Sequence, residues 1–317
     1  MTDRIWLKSY PKGVPADIDP GKYTSVVEMM EESFKKFAKR TAYSFMGKEQ
    51  TYGQVDSLSE AFGTYLQGLG LVKGDRVAVM MPNVLQYPIA VAGILRAGFT
   101  LVNVNPLYTA RELEHQLKDS GAKAIVILEN FASTLEKCLA ATPVKHIVLC
   151  AMGDQLGLIK GALVNYVVRS KKKLVPAFSL PTAVRFNVAI AKGTGGKLKK
   201  VAIKPDDVAV LQYTGGTTGV SKGATLLQRN LVANLLQVDA WNEPMLKKIP
   251  ANEQTTAVCA LPLYHIFAFT VGMMLSMRTG GKLILIPNPR DLAAVLKELS
   301  TQRSEERRVG KECLRLC

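Results

Sequence analysis

Along the first 150 residues the apolar positions switch repeatedly between helical spacing and short continuous runs. Residues 25–38 place Val26, Val27, Met30, Phe34 and Phe37 on one helical face with charge between them. Residues 45–51 suggest a short hairpin, and 52–69 form a second helical pattern that ends in Gly68 and Gly70. Gly74 and Asp75 then turn the chain into an apolar strand at 76–80. The alternation continues with a helix at 83–97, a strand at 98–103, a helix at 109–119, a strand at 122–128, a helix at 131–139 and a strand at 145–149. Thr109 followed by Glu112 matches a capping box, in which each side chain satisfies a free amide at the helix start. Such a chain predicts an α/β fold of mostly parallel sheets covered by helices, because strands buried on both faces read as unbroken apolar runs. Two uncharged stretches, 77–95 and 254–277, contain prolines and polar residues and are read as buried core elements rather than membrane spans.

The rhythm breaks between residues 155 and 204. Here eleven Lys or Arg residues occur without one Asp or Glu, and this stretch carries most of the net charge of +15 in the 317-residue chain. Pro176, Pro181 and the glycines at 193, 195 and 196 predict a mobile or peripheral insertion. Val164, Tyr166, Val167 and Val168 precede Arg169, Lys171, Lys172, Lys173 and Leu174. Apolar residues interleaved with cations suit the headgroup region of an anionic bilayer, a solvated basic surface being the plainer alternative. A positive field also suits polyanionic substrates. Nucleic acid is not expected, since no zinc-finger, KH or RRM signature accompanies the charge.

Beyond the insertion the pattern predicts strands at 207–211, 255–260 and 282–285, with helices at 227–239, 267–277 and 292–299. Residues 301–317 abandon this periodicity for dense mixed charge and are expected to be a non-native tail, against the plainer reading of a solvated terminal helix. Five scattered cysteines without CxxC spacing, and no secretory leader, point to a reducing, cytoplasmic compartment. Cys313 and Cys317 lack the second ligand pair a structural metal needs, so no protein metal site is predicted.

The chemistry concentrates just after the strand at 207–211, in Tyr213, Thr214, Gly215, Gly216, Thr217, Thr218, Gly219, Val220, Ser221, Lys222 and Gly223. Glycines let backbone amides turn inward, the hydroxyls add donors, and Lys222 supplies a mobile point charge, which together suit polyphosphate. The order differs from the GxxxxGK phosphate loop, because the lysine precedes the last glycine. An ordinary surface linker is the bland alternative.

This stretch resembles the signature loop of the adenylate-forming superfamily, with Gly215 where most members have Ser and Ser221 where most have Pro. Residues 6–20, 74–97, 102–117 and 261–267 are further similar to bacterial long-chain fatty-acyl-CoA synthetases. The resemblance implies use of ATP, Mg²⁺ and coenzyme A to convert a long-chain fatty acid into an acyl-adenylate and then acyl-CoA, with release of pyrophosphate and AMP. It implies catalytic roles for Lys222, Thr218 and His265, and ATP-phosphate contacts from residues 213–223. His265, in Leu261-Pro262-Leu263-Tyr264-His265-Ile266-Phe267, matches a residue that orients the carboxylate in the family, whereas Tyr264, Phe267 and Phe269 read first as packing residues. His115 reads as structural, His146 starts a strand and shows no partner, and Gln228 stands where family members commonly carry a histidine.

The resemblance also implies a longer enzyme. Residues 1–300 are expected to be part of an N-terminal AMP-binding domain interrupted by the basic insertion 155–204, with the C-terminal domain absent and the isolated chain inactive. The expected location is cytoplasmic, peripheral on the inner face of the cell membrane, and a homodimer is left open. Two alternatives stand beside this reading: an adenylate-forming ligase for aromatic or shorter acids, and a noncatalytic fragment that binds nucleotide or a lipid surface.

Overall fold

Two sheets organise the chain, whose computed structural model describes residues 4–214, 221–250 and 253–301. In chain order the elements are α1 (Val26–Lys36), β1 (Thr41–Phe45), β2 (Lys48–Thr51), α2 (Tyr52–Gln67), β3 (Arg76–Met80), α3 (Gln86–Arg96) and β4 (Thr100–Asn103). Then follow α4 (Ala110–Ser120), β5 (Ala124–Leu128), α5 (Ala132–Glu136), β6 (His146–Cys150), α6 (Leu158–Tyr166), β7 (Val184–Arg185) and α7 (Phe186–Gly193). The last group is β8 (Val208–Thr214), β9 (Lys222–Leu227), α8 (Gln228–Leu246), β10 (Thr256–Cys259), α9 (Leu275–Thr279), β11 (Lys282–Leu285) and α10 (Leu292–Thr301). Local chemistry sets several starts: Ser25 accepts from the Glu28 amide at the head of α1, and capping boxes at Thr51/Gln54 and Thr109/Glu112 open α2 and α4.

The larger sheet runs β7-β6-β5-β3-β4-β8-β9, and every neighbouring pair is parallel except the β8–β9 hairpin. The smaller runs β10-β11-β1-β2, with β2 alone antiparallel. Alternate side chains of the large sheet serve two cores. Val77, Val79 and Val126 join the cluster that includes Phe62, Ile94, Phe186 and the small sheet's Leu283, while Ala78, Met80, Ile125 and Ile127 meet Leu113, Leu117 and Leu135 on the other face. Burial on both faces is why these strands read as continuous apolar runs.

The basic segment is built into this frame rather than standing off from it. β7 extends the large sheet beside β6, and Phe186 on α7 packs against Phe62 with ring centroids 5.1 Å apart. At Gly193 a Cβ would lie 1.9 Å from the Ala61 carbonyl, so only glycine lets α7 approach α2 this closely. Arg169 and Arg185 both pair with Glu129, whose side chain is 1% exposed. That acid lies outside residues 155–204, so the segment's composition alone could not show that part of its charge is neutralised.

The reading of 267–277 as a regular helix also changes. Ala268–Met274 is wound as a π-helix before α9 begins. Such widened turns concentrate beside functional sites, and this one follows directly on the segment that holds His265.

Candidate functional site

β8 does not stop at Leu211, where the apolar run suggested, but continues through Tyr213 and Thr214. β9 begins at Lys222, so the last two residues of the stretch read as a phosphate loop open a strand that the sequence reading did not include. Thr214 pairs with Lys222 and Tyr213 with Gly223, so the described ends of the candidate phosphate loop are the paired legs at the tip of an antiparallel hairpin. β8 is parallel to β4, which puts this tip at the carboxyl edge of the parallel strands, where open α/β sheets place ligands. Gly215, Gly216, Thr217, Thr218, Gly219 and Val220 lie outside the described residues. Thr214 and Lys222 are exposed at the two ends of the tip, and Ser221 is half-buried.

Both legs of the hairpin are gripped by α4. The Tyr213 hydroxyl donates to Asp119, and burial followed by that carboxylate pushes the phenol pKa upward, so the group stays protonated as a donor. His115 places Nε2 3.1 Å from the Ser221 carbonyl, which requires the proton on that nitrogen if the contact is a hydrogen bond. Across the strands a Cβ at Gly223 would meet the Tyr213 ring at 2.8 Å, so the last glycine of the motif makes room for its first aromatic residue.

A buried polar network attaches the segment containing His265 to the same edge. Asn83 donates through Nδ2 to the Cys259 and Leu261 carbonyls, each at 2.9 Å, and its Oδ1 accepts from the Leu263 amide at 2.8 Å. The Tyr87 hydroxyl lies 2.7 Å from Asn103 Oδ1 and 2.8 Å from the Leu263 carbonyl. Asn103 donates to Gln212 Oε1, and Gln212 donates to the Tyr264 carbonyl at 2.9 Å. Gln212 thus joins the strand leading into the loop to the residue preceding His265.

His265 itself is exposed. The Phe267 amide donates to its Nδ1 at 3.3 Å, which leaves Nε2 as the protonated, donor nitrogen of the neutral ring. Phe269 is a core residue at 0% exposure, Tyr264 is half-buried, and Phe267 is 55% exposed, so Phe267 does not share the packing role. Tyr213, Thr214, Lys222, Gly223 and the His265 segment therefore belong to one edge of the fold.

Sequence reasoning missed Asn83, Tyr87 and Asn103, which lay inside segments read as helix or strand, and Gln212, which fell between the strand read at 207–211 and the candidate loop. The signal was present as polar side chains in otherwise apolar runs. It read His115 as structural without naming the Ser221 carbonyl, which is distant along the chain. Gln228 sits at the far end of β9: its amide donates to the Asp207 carbonyl, and its Oε1 accepts from the Val26 amide at 3.0 Å. The side chain is therefore committed to the start of α1 rather than to the loop.

A cleft of about 520 Å³ opens at the opposite, amino edge of the large sheet, lined by Lys73, Arg76, Phe99, Asp207 and Gln228 among others. Lys73 and Asp207 form an ion pair there, away from the hairpin tip and His265. Among the described residues there is no group of three or more His, Cys, Asp or Glu that could hold a metal ion.

The two sheets and their covering helices form an α/β fold, and the AMP-binding enzyme family matches residues 30–304. The chain belongs to that family. It is 53% identical over 298 residues to a long-chain-fatty-acid–CoA ligase of Escherichia coli O157:H7, covering 94% of this chain and 52% of that protein. A long-chain-fatty-acid–CoA ligase of Haemophilus influenzae is 49% identical over 304 residues, covering 96% and 54%. The chain thus spans about half the length of these relatives. Among solved structures, an anthranilate CoA ligase in complex with anthranoyl-AMP has a TM-score of 0.68 at 20% identity, covering 86% of this chain and 47% of that one. A long-chain-fatty-acid-CoA ligase from Archaeoglobus fulgidus has a TM-score of 0.67 at 22% identity, covering 88% and 49%. These structures share the fold.

Proposed function

We propose that this chain supplies the ATP-phosphate and acyl-carboxylate side of a long-chain-fatty-acid:CoA ligase, which forms an acyl-adenylate with release of pyrophosphate and then acyl-CoA with release of AMP. The observation that carries the reading is the placement of the hairpin tip and the His265 segment on one carboxyl edge, joined through Gln212. The similarity to the bacterial ligases supports the choice of substrate.

In this reading the fatty-acid carboxylate attacks the α-phosphorus of ATP. Negative charge grows on the bridging and leaving oxygens, and fixed donors with a nearby cation stabilise it more than they stabilise the ground state. Residues 213–223 contribute those donors, with Thr218 among the hydroxyls, and Lys222 contributes the cation. α4 holds the two legs of the hairpin through Asp119 and His115. His265 offers Nε2–H to the carboxylate. Leu261 and Phe267, 54% and 55% exposed, begin an apolar wall for the acyl chain. Each methylene removed from water there contributes about 0.8 kcal/mol.

Mg²⁺ belongs to the proposal as a companion of the ATP phosphates, whose oxygens suit this hard cation, and when bound it neutralises phosphate charge. The described residues provide no carboxylate cluster to hold it, so no step is assigned to it. Coenzyme A is the second substrate. The chain's proposed setting is the cytoplasm, in contact with the anionic inner surface of the cell membrane.

Pyrophosphate release from the protein extended to the length of its relatives, assayed with palmitate, octanoate, acetate and 4-coumarate, tests this function. Palmitate is expected to react with the highest kcat/KM. A preference for acetate or coumarate would overturn the substrate class, and absence of acid-dependent pyrophosphate release would overturn the reaction.

A further inference from the structure

Helix α6 has its apolar face on the outside. Leu158, Ile159, Ala162, Leu163 and Tyr166 fall on one helical stripe, and the four large residues are 93%, 89%, 58% and 52% exposed respectively. The face toward the protein carries Gly161, Asn165 and the half-buried Val164, which packs against the main core. Gly161 packs so closely that a Cβ would lie 2.4 Å from the Gly153 carbonyl oxygen, and Asn165 Oδ1 accepts from the Gly153 amide at 2.7 Å. A surface helix of a globular protein ordinarily turns charged and polar residues outward, and a contiguous outward apolar stripe marks an interaction surface.

The charge around the stripe selects the partner. The chain leaves α6 through a π-helical turn, Val167–Lys171, and reaches exposed Lys171, Lys172, Lys173 and Leu174. Lys171 Nζ stands 5.8 Å from the centre of the Tyr166 ring. Lys160 donates to the carbonyl of Met46, whose side chain is 40% exposed in the adjoining β1–β2 turn. Arg169 and Arg185 are occupied by Glu129, whereas no ion pair among the described residues engages Lys171, Lys172 or Lys173. A second copy meeting this face about a two-fold axis would set lysines against lysines, whereas an anionic bilayer offers both an apolar interior and negative headgroups.

We propose that α6 and Lys171 to Lys173 form an insertion surface for anionic lipid, with Leu158, Ile159 and Leu163 entering the acyl boundary and the three lysines lying at headgroup level. This deepens the membrane-contact part of the proposed function and rests on it. β6 runs parallel to β5, and the chain passes from its carboxyl end into α6. The insertion surface therefore begins on the same side of the large sheet as the hairpin tip, a placement suited to collecting a fatty acid from the bilayer.

Co-sedimentation with vesicles of phosphatidylcholine, with and without phosphatidylglycerol, tests the surface. The 317-residue chain is expected to bind the anionic vesicles and to release as salt rises. Joint Leu158→Glu and Ile159→Glu substitution is expected to weaken partitioning at least tenfold. Val72→Glu, at another exposed apolar position, is expected to leave partitioning unchanged. Joint Lys171→Gln, Lys172→Gln and Lys173→Gln substitution is expected to abolish the preference for phosphatidylglycerol. Thermal melts establish that each variant is folded, with Leu158→Ser and Ile159→Ser replacing the glutamates if they are not.

Wild-type binding to anionic vesicles that survives unchanged in the α6 variant would refute this surface while preserving membrane contact. Failure of the wild type to bind would refute both. A wild-type dimer that separates on α6 substitution without vesicle binding would overturn the proposal in favour of a contact between copies.

Discussion

At the scale of single residues, the candidate loop is shaped by contacts its motif does not display. Gly223 is required by the ring opposite it rather than by a positive φ, since a Cβ there would approach Tyr213 to 2.8 Å. Gly223→Val is expected to destabilise the fold by about 1–3 kcal/mol, the usual cost of overpacking. Denaturant unfolding of the single and double variants checks this, because most of the penalty should vanish when Tyr213→Ala removes the obstructing ring. A penalty independent of Tyr213 would place the strain elsewhere. His115 illustrates the complementary case: its neighbours in sequence suggest an exposed helical residue, but its ring contacts the carbonyl at the end of the loop.

At the scale of elements, the segment with His265 depends on amide side chains from the large sheet and from the connection between β3 and α3. Asn83→Ala would leave the Leu263 amide without its partner, while the Cys259 carbonyl keeps the Ile286 amide and the Leu261 carbonyl keeps the Cys259 thiol. The expected loss is about 1–3 kcal/mol, mainly from the Leu263 amide left unsatisfied. Thermal or denaturant unfolding measures it, and limited proteolysis should show faster cleavage near residues 261–267. Unchanged stability would mean that the network does not hold that segment.

Much of this element frame was legible in the sequence. The strands Arg76–Met80 and Lys282–Leu285 coincide with their apolar runs, and the Thr109 capping box is formed. The β8–β9 hairpin was harder to read because polar and small residues, from Gln212 to Thr225, form its paired legs through contacts across the strands. The docking of the basic segment was also hidden. Its two-residue strand is held by a neighbour, its helix by a glycine contact, and two of its arginines by an acid far away in sequence.

At the scale of the whole molecule, the two edges of the large sheet divide their tasks. The amino edge carries ion pairs that hold the frame, including Asp75 with Lys123 and Asp207 with Lys73. Burial pushes the Asp75 carboxyl upward, but Lys123, the Val72 amide and Arg76 outweigh it, and its pKa is lowered overall. A carboxylate depressed by folding contributes stability that is present above its unfolded value and is lost as pH falls through its folded value. Asp75→Asn is therefore expected to lower stability at neutral pH and flatten the loss of stability in the acid range below about pH 4. Denaturant midpoints measured across that range check the sign.

The carboxyl edge carries the candidate site, where the central claim is that the Tyr213 to Gly223 tip holds the phosphates of ATP. Calorimetric titration of Mg·ATP into the 317-residue chain and a folded Lys222→Ala variant tests this most directly. The account predicts saturable binding that weakens at least tenfold when the lysine is removed, consistent with loss of about 1.5–3 kcal/mol from a charge-assisted contact. Equal affinities for the two proteins would contradict it.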